Sequence, residues 1–209
     1  MNDWKLILKV ILGSAVLIMV VIFGLSKMAG TGTSLTADQN LLTDGAKLIK
    51  ENGETKVSVV NFSDLECPAC KRAHELLVSL NTTVGVKIVF RYFPLGIHKY
   101  GLISAKAVEA ARVMGKGWEM IDLLFAKQDE WSAEPKIEDK LVEYATNLGL
   151  DGTVFRDKLN SAEVATAVQQ DINLGDSLRL SGTPTIYVNG EQVASDFVVA
   201  KVNELLKVK

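Results

Sequence analysis

The sequence predicts an α/β domain whose sheet is interrupted by a helical insertion, preceded by one N-terminal transmembrane helix. Three observations carry that prediction. β-Branched runs at residues 56–62 (KVSVVNF) and 86–93 (VKIVFRYF) flank a helical stripe. Helical spacing then persists from 102 to 174. Strand signals return at Thr185–Val188 and at 191–194, on either side of Asn189-Gly190, the strongest two-residue hairpin turn.

Residues 6–25 form an apolar run with a single charge, Lys9, and 10–25 are sixteen consecutive uncharged residues. At about 1.5 Å per residue, twenty residues match a bilayer core of roughly 30 Å. A cleaved signal peptide would have a shorter apolar run and a better small-x-small site than Gly30-Thr31-Gly32 or Gly32-Thr33-Ser34. The expectation is an uncleaved signal anchor over 1–28. Lys5 and Lys9 precede the core and Lys27 follows it, which turns the N-terminus toward the cytoplasm and the remainder outside it. Residues 29–40, rich in Gly, Thr and Ser, read as a flexible tether. The folded domain is expected over 41–209.

Within that domain, 56–62 is a buried strand, introduced by the Asn52-Gly53 turn signal. Residues 67–80 form a helix with Ala73, Leu76, Leu77 and Leu80 on one stripe, and 86–93 a second strand stopped by Pro94. Strand, helix and strand in that order make a βαβ unit with parallel strands. The insertion, at about 101–176, carries stripes at Ile103, Ala107, Ala110, Ala111 and Met114, at Trp118, Ile121, Leu124 and Phe125, and at Ile137, Leu141, Tyr144, Ala145 and Leu148. Residues 154–159 and 162–174 add two more helices, and 197–207 close as an amphipathic helix.

Of 209 residues, 48% are hydrophobic and 23% charged, and there are four prolines and two cysteines. That balance excludes collagenous, disordered and disulfide-scaffold classes. A net charge of -2 speaks against an electrostatically driven nucleic-acid binder.

The two cysteines stand in Glu66-Cys67-Pro68-Ala69-Cys70, where the first strand gives way to a helix. Residues three apart share a helix face, so the sulfurs can reach bonding distance. Cys67 sits at the helix start, where free N–H groups and the dipole favour its thiolate, and Pro68 fits the first turn. An exposed Cys67 would be the nucleophile and a more buried Cys70 its resolving partner. Two other readings compete with redox chemistry. A structural staple gains little from so small a loop. A zinc site needs about four ligands, which His74 and His98 would supply only by coincidence; no metal and no bound cofactor is expected. His74 reads as a helix-surface residue and His98 as a loop histidine making one hydrogen bond. Trp131, after Asp129 and Glu130, reads as half exposed and open to a partner contact.

Asp64-Leu65-Glu66-Cys67-Pro68-Ala69-Cys70, the 90–95 segment (FRYFPL) with His98 after it, and Gly182-Thr183-Pro184-Thr185 together resemble the DsbA-like branch of the thioredoxin superfamily, most of all its membrane-anchored bacterial members. The resemblance implies a thioredoxin-like fold with Thr183-Pro184 cis and facing the cysteines, the Thr183 backbone left free to pair with an extended substrate. An ordinary trans proline at a strand start is the alternative. Pro68, Ala69, Glu66, Asp64 and His98 are the implied neighbours of the site. Three departures bear on its chemistry. Ala69 stands where strongly oxidising relatives carry histidine. Asn61 stands where relatives carry a buried acid, so Cys70 would use no general base there, or Asp64 through water. Glu66 places a negative charge beside Cys67, against Lys71 and Arg72.

The expected function is that of a single-pass membrane oxidoreductase, monomeric, introducing disulfides into thiol-containing secreted or cell-envelope proteins. Re-oxidation by a DsbB-like or vitamin K epoxide reductase-like membrane oxidase is implied by the resemblance. A reductase or isomerase using the same pair is the alternative within the enzyme class. A tethered binding or chaperone module with an incidental CxxC is the alternative outside it.

Overall fold

The computed structural model describes residues 36–207. The signal anchor expected over 1–28 lies outside the described residues; among these, no helix is long and apolar enough to cross a membrane. The expected tether overlaps them only at 36–40, and there it does not hold. Thr36 bridges Glu191, the Ala37 N–H donates to the Gly190 carbonyl at 2.8 Å, and Asp38 caps helix α1 (Gln39–Thr43). A side-chain acceptor at the N-cap and a neighbouring sheet edge order a segment whose composition alone reads as linker.

Five strands form one mixed sheet: β1 (Leu48–Asn52), β2 (Val57–Ser63), β3 (Val86–Tyr92), β4 (Thr185–Val188) and β5 (Glu191–Val193), in the order β1-β3-β2-β4-β5. β2 and β3 are parallel, and every other pairing is antiparallel. The crossover between β2 and β3 is α2 (Pro68–Val78). Then come the helices of the insertion, α3 (Gly101–Val113), α4 (Gly117–Ala126), α5 (Gln128–Trp131), α6 (Ile137–Asn147), α7 (Gly152–Leu159) and α8 (Ala162–Ser177). The β4–β5 hairpin follows, with Asn189 at φ 48° and Gly190 at φ 84°, the two left-handed residues that a tight primed turn requires. A short 3₁₀ turn (Ser195–Phe197) leads into α9 (Val198–Lys207).

β2 is buried along its whole length because both faces of the sheet are covered. Val57 and Val59 pack with Ile88, Ile186 and Val188 beneath α2 and α9, through Ala73, Leu77, Val198 and Val202. On the opposite face Val60 and Phe62 pack with Val89, Tyr187 and Leu42, and Leu174 and Leu178 cover them. The insertion has its own core around Met120, Leu124, Trp131, Leu141 and Phe155, which reaches Cys67 and Cys70. β1 has no counterpart in the strands expected from the sequence. It is an edge strand whose side chains alternate between buried and exposed.

Candidate active site

The cysteine loop follows from how β2 ends. Beyond Ser63 the chain turns through Asp64 to Glu66, and Cys67 becomes the N-cap of α2 in an extended conformation (φ -74°, ψ 121°), with Pro68 in the first turn. The Cys67 N–H donates to the Asp64 carbonyl at 3.2 Å, and the N–H groups of Cys70 and Lys71 donate to the Cys67 carbonyl at 3.0 and 3.2 Å. Cys70 is fully buried. Cys67 is only 7% exposed, more enclosed than its position at a helix start suggests, though still the more accessible of the two. Both cysteines are free thiols.

Facing them from the other end of the chain is Thr183-Pro184, whose peptide bond is cis. The Cys67 thiol points to the Thr183 carbonyl at 3.6 Å, across a separation of 116 residues. β2–β4 pairing makes this possible, since Phe62 lies opposite Thr185. Beside the pair runs a groove of about 370 Å³ lined by Ala69, Arg72, Leu76, Pro184, Ser195 and Asp196, among others. Leu76, expected on the buried stripe of α2, stands 38% exposed at this groove instead.

The two sulfurs are electrostatically unequal. A hydrogen bond from the Cys70 thiol holds Cys67 low, to about 5; burial opposes it, and the backbone N–H of Cys70, the Thr183 side chain and the backbone N–H of Ala69 assist. Burial pushes the Cys70 thiol far up, and its bond to Cys67 pushes the same way. Ser63, Thr183 and the Asp64 backbone N–H, which donates to Cys70 Sγ at 3.4 Å, pull back only partly. Ser63 Oγ and Thr183 Oγ1 are buried, and among the described residues neither makes a hydrogen bond of full geometry. Hydrogen bonds, rather than the charges of Glu66, Lys71 and Arg72, are thus what favours the Cys67 thiolate. Glu66 turns its carboxylate to the Tyr100 N–H, and Lys71 pairs with Asp129 at 2.9 Å.

Asp64 organises the loop above the sulfurs. Its carboxylate accepts from the Glu66 N–H at 2.8 Å, the Leu95 N–H at 2.7 Å and His98 Nδ1 at 2.7 Å. His98 thus makes the loop hydrogen bond expected of it, and to a site residue. Partial burial disfavours the charged imidazole, but the bond to Asp64 and the negative charges of Asp64, Cys67 and Glu66 outweigh that and hold His98 above its ordinary value. Asn61 is 2% exposed, in the centre of β2, and its Oδ1 has no hydrogen-bond partner.

Gln128 is a site residue that sequence reasoning missed. Buried at the start of α5, its Nε2 donates to the Leu65 carbonyl at 2.7 Å and the Cys67 carbonyl at 3.1 Å, so the insertion holds the cysteine loop directly. Ser63 was missed as well, and only its place at the end of the strand before the CxxC could have pointed to it. His74 is not on the helix surface. It is 9% exposed, stacked on Phe125 with ring centres 4.7 Å apart and bonded to Asp122 at 2.9 Å. Trp131 is fully buried, its indole N–H donating to the Leu124 carbonyl at 2.7 Å. The acids before it face outward while the ring turns into the insertion core, which removes it as a contact residue. Among the described residues no three His, Cys, Asp or Glu side chains converge as a metal site.

The sequence matches the family described as thioredoxin over residues 48–208. The chain belongs to the thioredoxin family. Among solved structures, this thioredoxin-family domain is similar to a thioredoxin-like oxidoreductase from Silicibacter pomeroyi, at 25% identity and a TM-score of 0.68, over 83% of this chain and 100% of that one. It is similar in fold to oxidised BdbD from Bacillus subtilis (22% identity, TM-score 0.69, 83% of this chain and 98% of that one). The same holds for the thiol-disulfide exchange protein α-DsbA2 from Wolbachia pipientis (20% identity, TM-score 0.66, 80% and 91%). Curated relatives include the Na(+)/H(+) antiporter NhaA 3 of Salinispora tropica, 40% identical over 144 residues, which are 66% of this chain and 21% of that protein. The chain spans about a fifth of the length of the antiporters it matches. The Cys67–Cys70 pair thus sits at the start of a helix in a thioredoxin-family fold.

Proposed function

We propose that this chain is a membrane-anchored, monomeric thiol-disulfide oxidoreductase of DsbA type that acts outside the cytoplasm and introduces disulfides into secreted or cell-envelope proteins. The observation that carries the reading is the inequality of the two sulfurs: a stabilised Cys67 beside an open groove, and a buried, protonated Cys70 behind it. In the oxidised protein a substrate thiolate attacks Cys67 Sγ, the Cys67–Cys70 bond breaks, and Cys70 leaves and takes up a proton. A second substrate thiolate then attacks the substrate sulfur of this mixed disulfide. The substrate disulfide forms, Cys67 departs as a thiolate, and the enzyme is left reduced by two electrons. A thiol held low is a good leaving group and stabilises the reduced enzyme, which favours oxidation of the substrate.

The Thr183 backbone and the Pro184 side of the groove would receive the extended substrate segment. Re-oxidation falls to a membrane oxidase of the DsbB or vitamin K epoxide reductase kind. Anchoring rests on the apolar run at 6–25. The deciding experiment is the reduction potential of the pair, measured on the full-length protein against glutathione. The proposal expects a value toward the DsbA end, about -120 mV; a value near the thioredoxin end, about -270 mV, would transfer the site to reduction. Cys70→Ser should accumulate thiol-sensitive adducts with envelope proteins. Full function in a Cys67→Ser/Cys70→Ser variant would instead identify a binding module.

A further inference from the structure

We propose that His98 is a positioning residue of the cysteine pair: held by Asp64, it carries a proton while Cys67 is a thiolate and releases that proton when the Cys67–Cys70 disulfide forms. This rests on the thiol-disulfide reading above and goes beyond it by assigning the redox-linked proton.

The geometry begins with Asp64. Its side chain is fully buried, and its carboxylate is met by two backbone N–H groups and by His98 Nδ1 at 2.7 Å. The same residue donates its backbone N–H to Cys70 Sγ at 3.4 Å and accepts from the Cys67 N–H at 3.2 Å. His98 is therefore attached to the residue that frames both sulfurs, although it belongs to the loop between β3 and α3. With a carboxylate on Nδ1, that nitrogen carries a proton, and the ring's charge depends on Nε2. The side chain is 19% exposed, so the ring has access to solvent.

The groups acting on His98 are Asp64, Glu66 and Cys67, all of them negative when ionised. Lys99, the next residue in the loop, sets its ammonium 4.5 Å from the centre of the Tyr100 ring. Within the cysteine loop itself the two intervening residues, Pro68 and Ala69, carry no charge, and Ala69 packs against the insertion core. The cation joined to the sulfurs through Asp64 thus comes from another loop. When it discharges, the buried Asp64 carboxylate keeps its two backbone N–H donors, and the loss of the Cys67 charge on oxidation removes one of the negative groups that hold the proton on the ring. With glutathione disulfide as oxidant the step closes: the Cys67 thiolate, the Cys70 thiol, protonated His98 and glutathione disulfide give the Cys67–Cys70 disulfide, neutral His98 and two glutathione thiols. Two electrons pass to glutathione, and its two new protons come from Cys70 and His98.

The test is an NMR pH titration of the histidine rings in the reduced and the oxidised full-length protein. The sequence contains two histidines, so a His74→Gln variant assigns them. The His98 midpoint should lie higher in the reduced form by about one pH unit, as expected for a nearby thiolate. His98→Gln should raise the pH midpoint of Cys67 alkylation by about one unit, roughly a tenfold loss of rate below that midpoint. Coincident His98 midpoints in the two forms overturn the proposal, as does an unmoved Cys67 profile in folded His98→Gln. If that variant fails to fold, the comparison of the two native forms decides alone. A pair that forms no disulfide under glutathione disulfide defeats the proposed function together with this inference, whereas a normal disulfide with an unresponsive His98 defeats only the inference.

Discussion

Asp171 of α8 binds Arg91 of β3 at 2.7 Å and takes the Tyr92 N–H on its other oxygen at 3.1 Å. Both members of the pair are buried, and Arg91 also donates to the Leu42 and Asp44 carbonyls. The ion pair therefore joins the last helix of the insertion to the central strands and to the turn after α1. Burial holds the Asp171 carboxyl above its ordinary value despite the guanidinium beside it. Removing one partner of such a pair leaves the other charge stranded. Asp171→Ala should cost about 3–5 kcal/mol in denaturant unfolding of the reduced protein. A loss below about 1 kcal/mol would show that solvent reaches Arg91.

Cys67 titrates as an acid whose folded value is depressed, so its thiolate persists above about 5 and disappears as pH falls through it. Alkylation of the reduced protein at Cys67 should decline only near that pH, while Cys70, pushed up by burial, stays unmodified throughout. By linkage, the reduced protein gains stability over a Cys67→Ser variant as pH rises from about 5 toward the ordinary thiol range. Mass-resolved alkylation and thermal melts across that window check both. A midpoint near 8.5 would mean that the thiolate receives no net stabilisation.

Gln128→Ala removes the donor to two carbonyls of the cysteine loop. The Cys67 carbonyl keeps the Cys70 and Lys71 N–H groups, but the Leu65 carbonyl loses its donor; leaving such a buried acceptor unpaired costs about 1–3 kcal/mol, and here the loss falls on the active-site loop. The expected result is a lower unfolding midpoint together with faster hydrogen exchange at Glu66 and Cys67. Unchanged exchange there would confine Gln128 to packing.

Gly175, inside α8, lies against the Phe93 ring so closely that an added Cβ would overlap it. Gly175→Ala should destabilise by about 1–3 kcal/mol despite the gain in helix propensity. Adding Phe93→Leu should restore part of that loss, which a double-mutant cycle resolves.

What could be read in advance depended on how local the signal was. The CxxC, the Thr-Pro before β4 and the Asn-Gly hairpin are short motifs whose chemistry is complete within a few residues, and they marked the cysteine pair and one edge of the sheet. β1 was silent because Leu48-Ile49-Lys50-Glu51-Asn52 is polar and becomes a strand only by pairing with β3. His74 reads as surface and Trp131 as half exposed, and Gln128 carries no signal of its own; tertiary packing buries all three. The direction of the Cys67 shift could not be summed from neighbouring charges, because its largest cause is the hydrogen bond from Cys70.

The separation of 116 residues from Cys67 to Thr183 also sets an order of events during synthesis. A chain made from its N-terminus carries both thiols, with β2, α2 and β3, long before the residues that face them exist. The helices of the insertion can form in the meantime from local contacts, but the site is completed only when β4 docks beside β2. A nascent or C-terminally truncated chain therefore presents its thiols without Thr183 and Pro184 opposite them, reactive toward any passing disulfide and with no groove to choose among them.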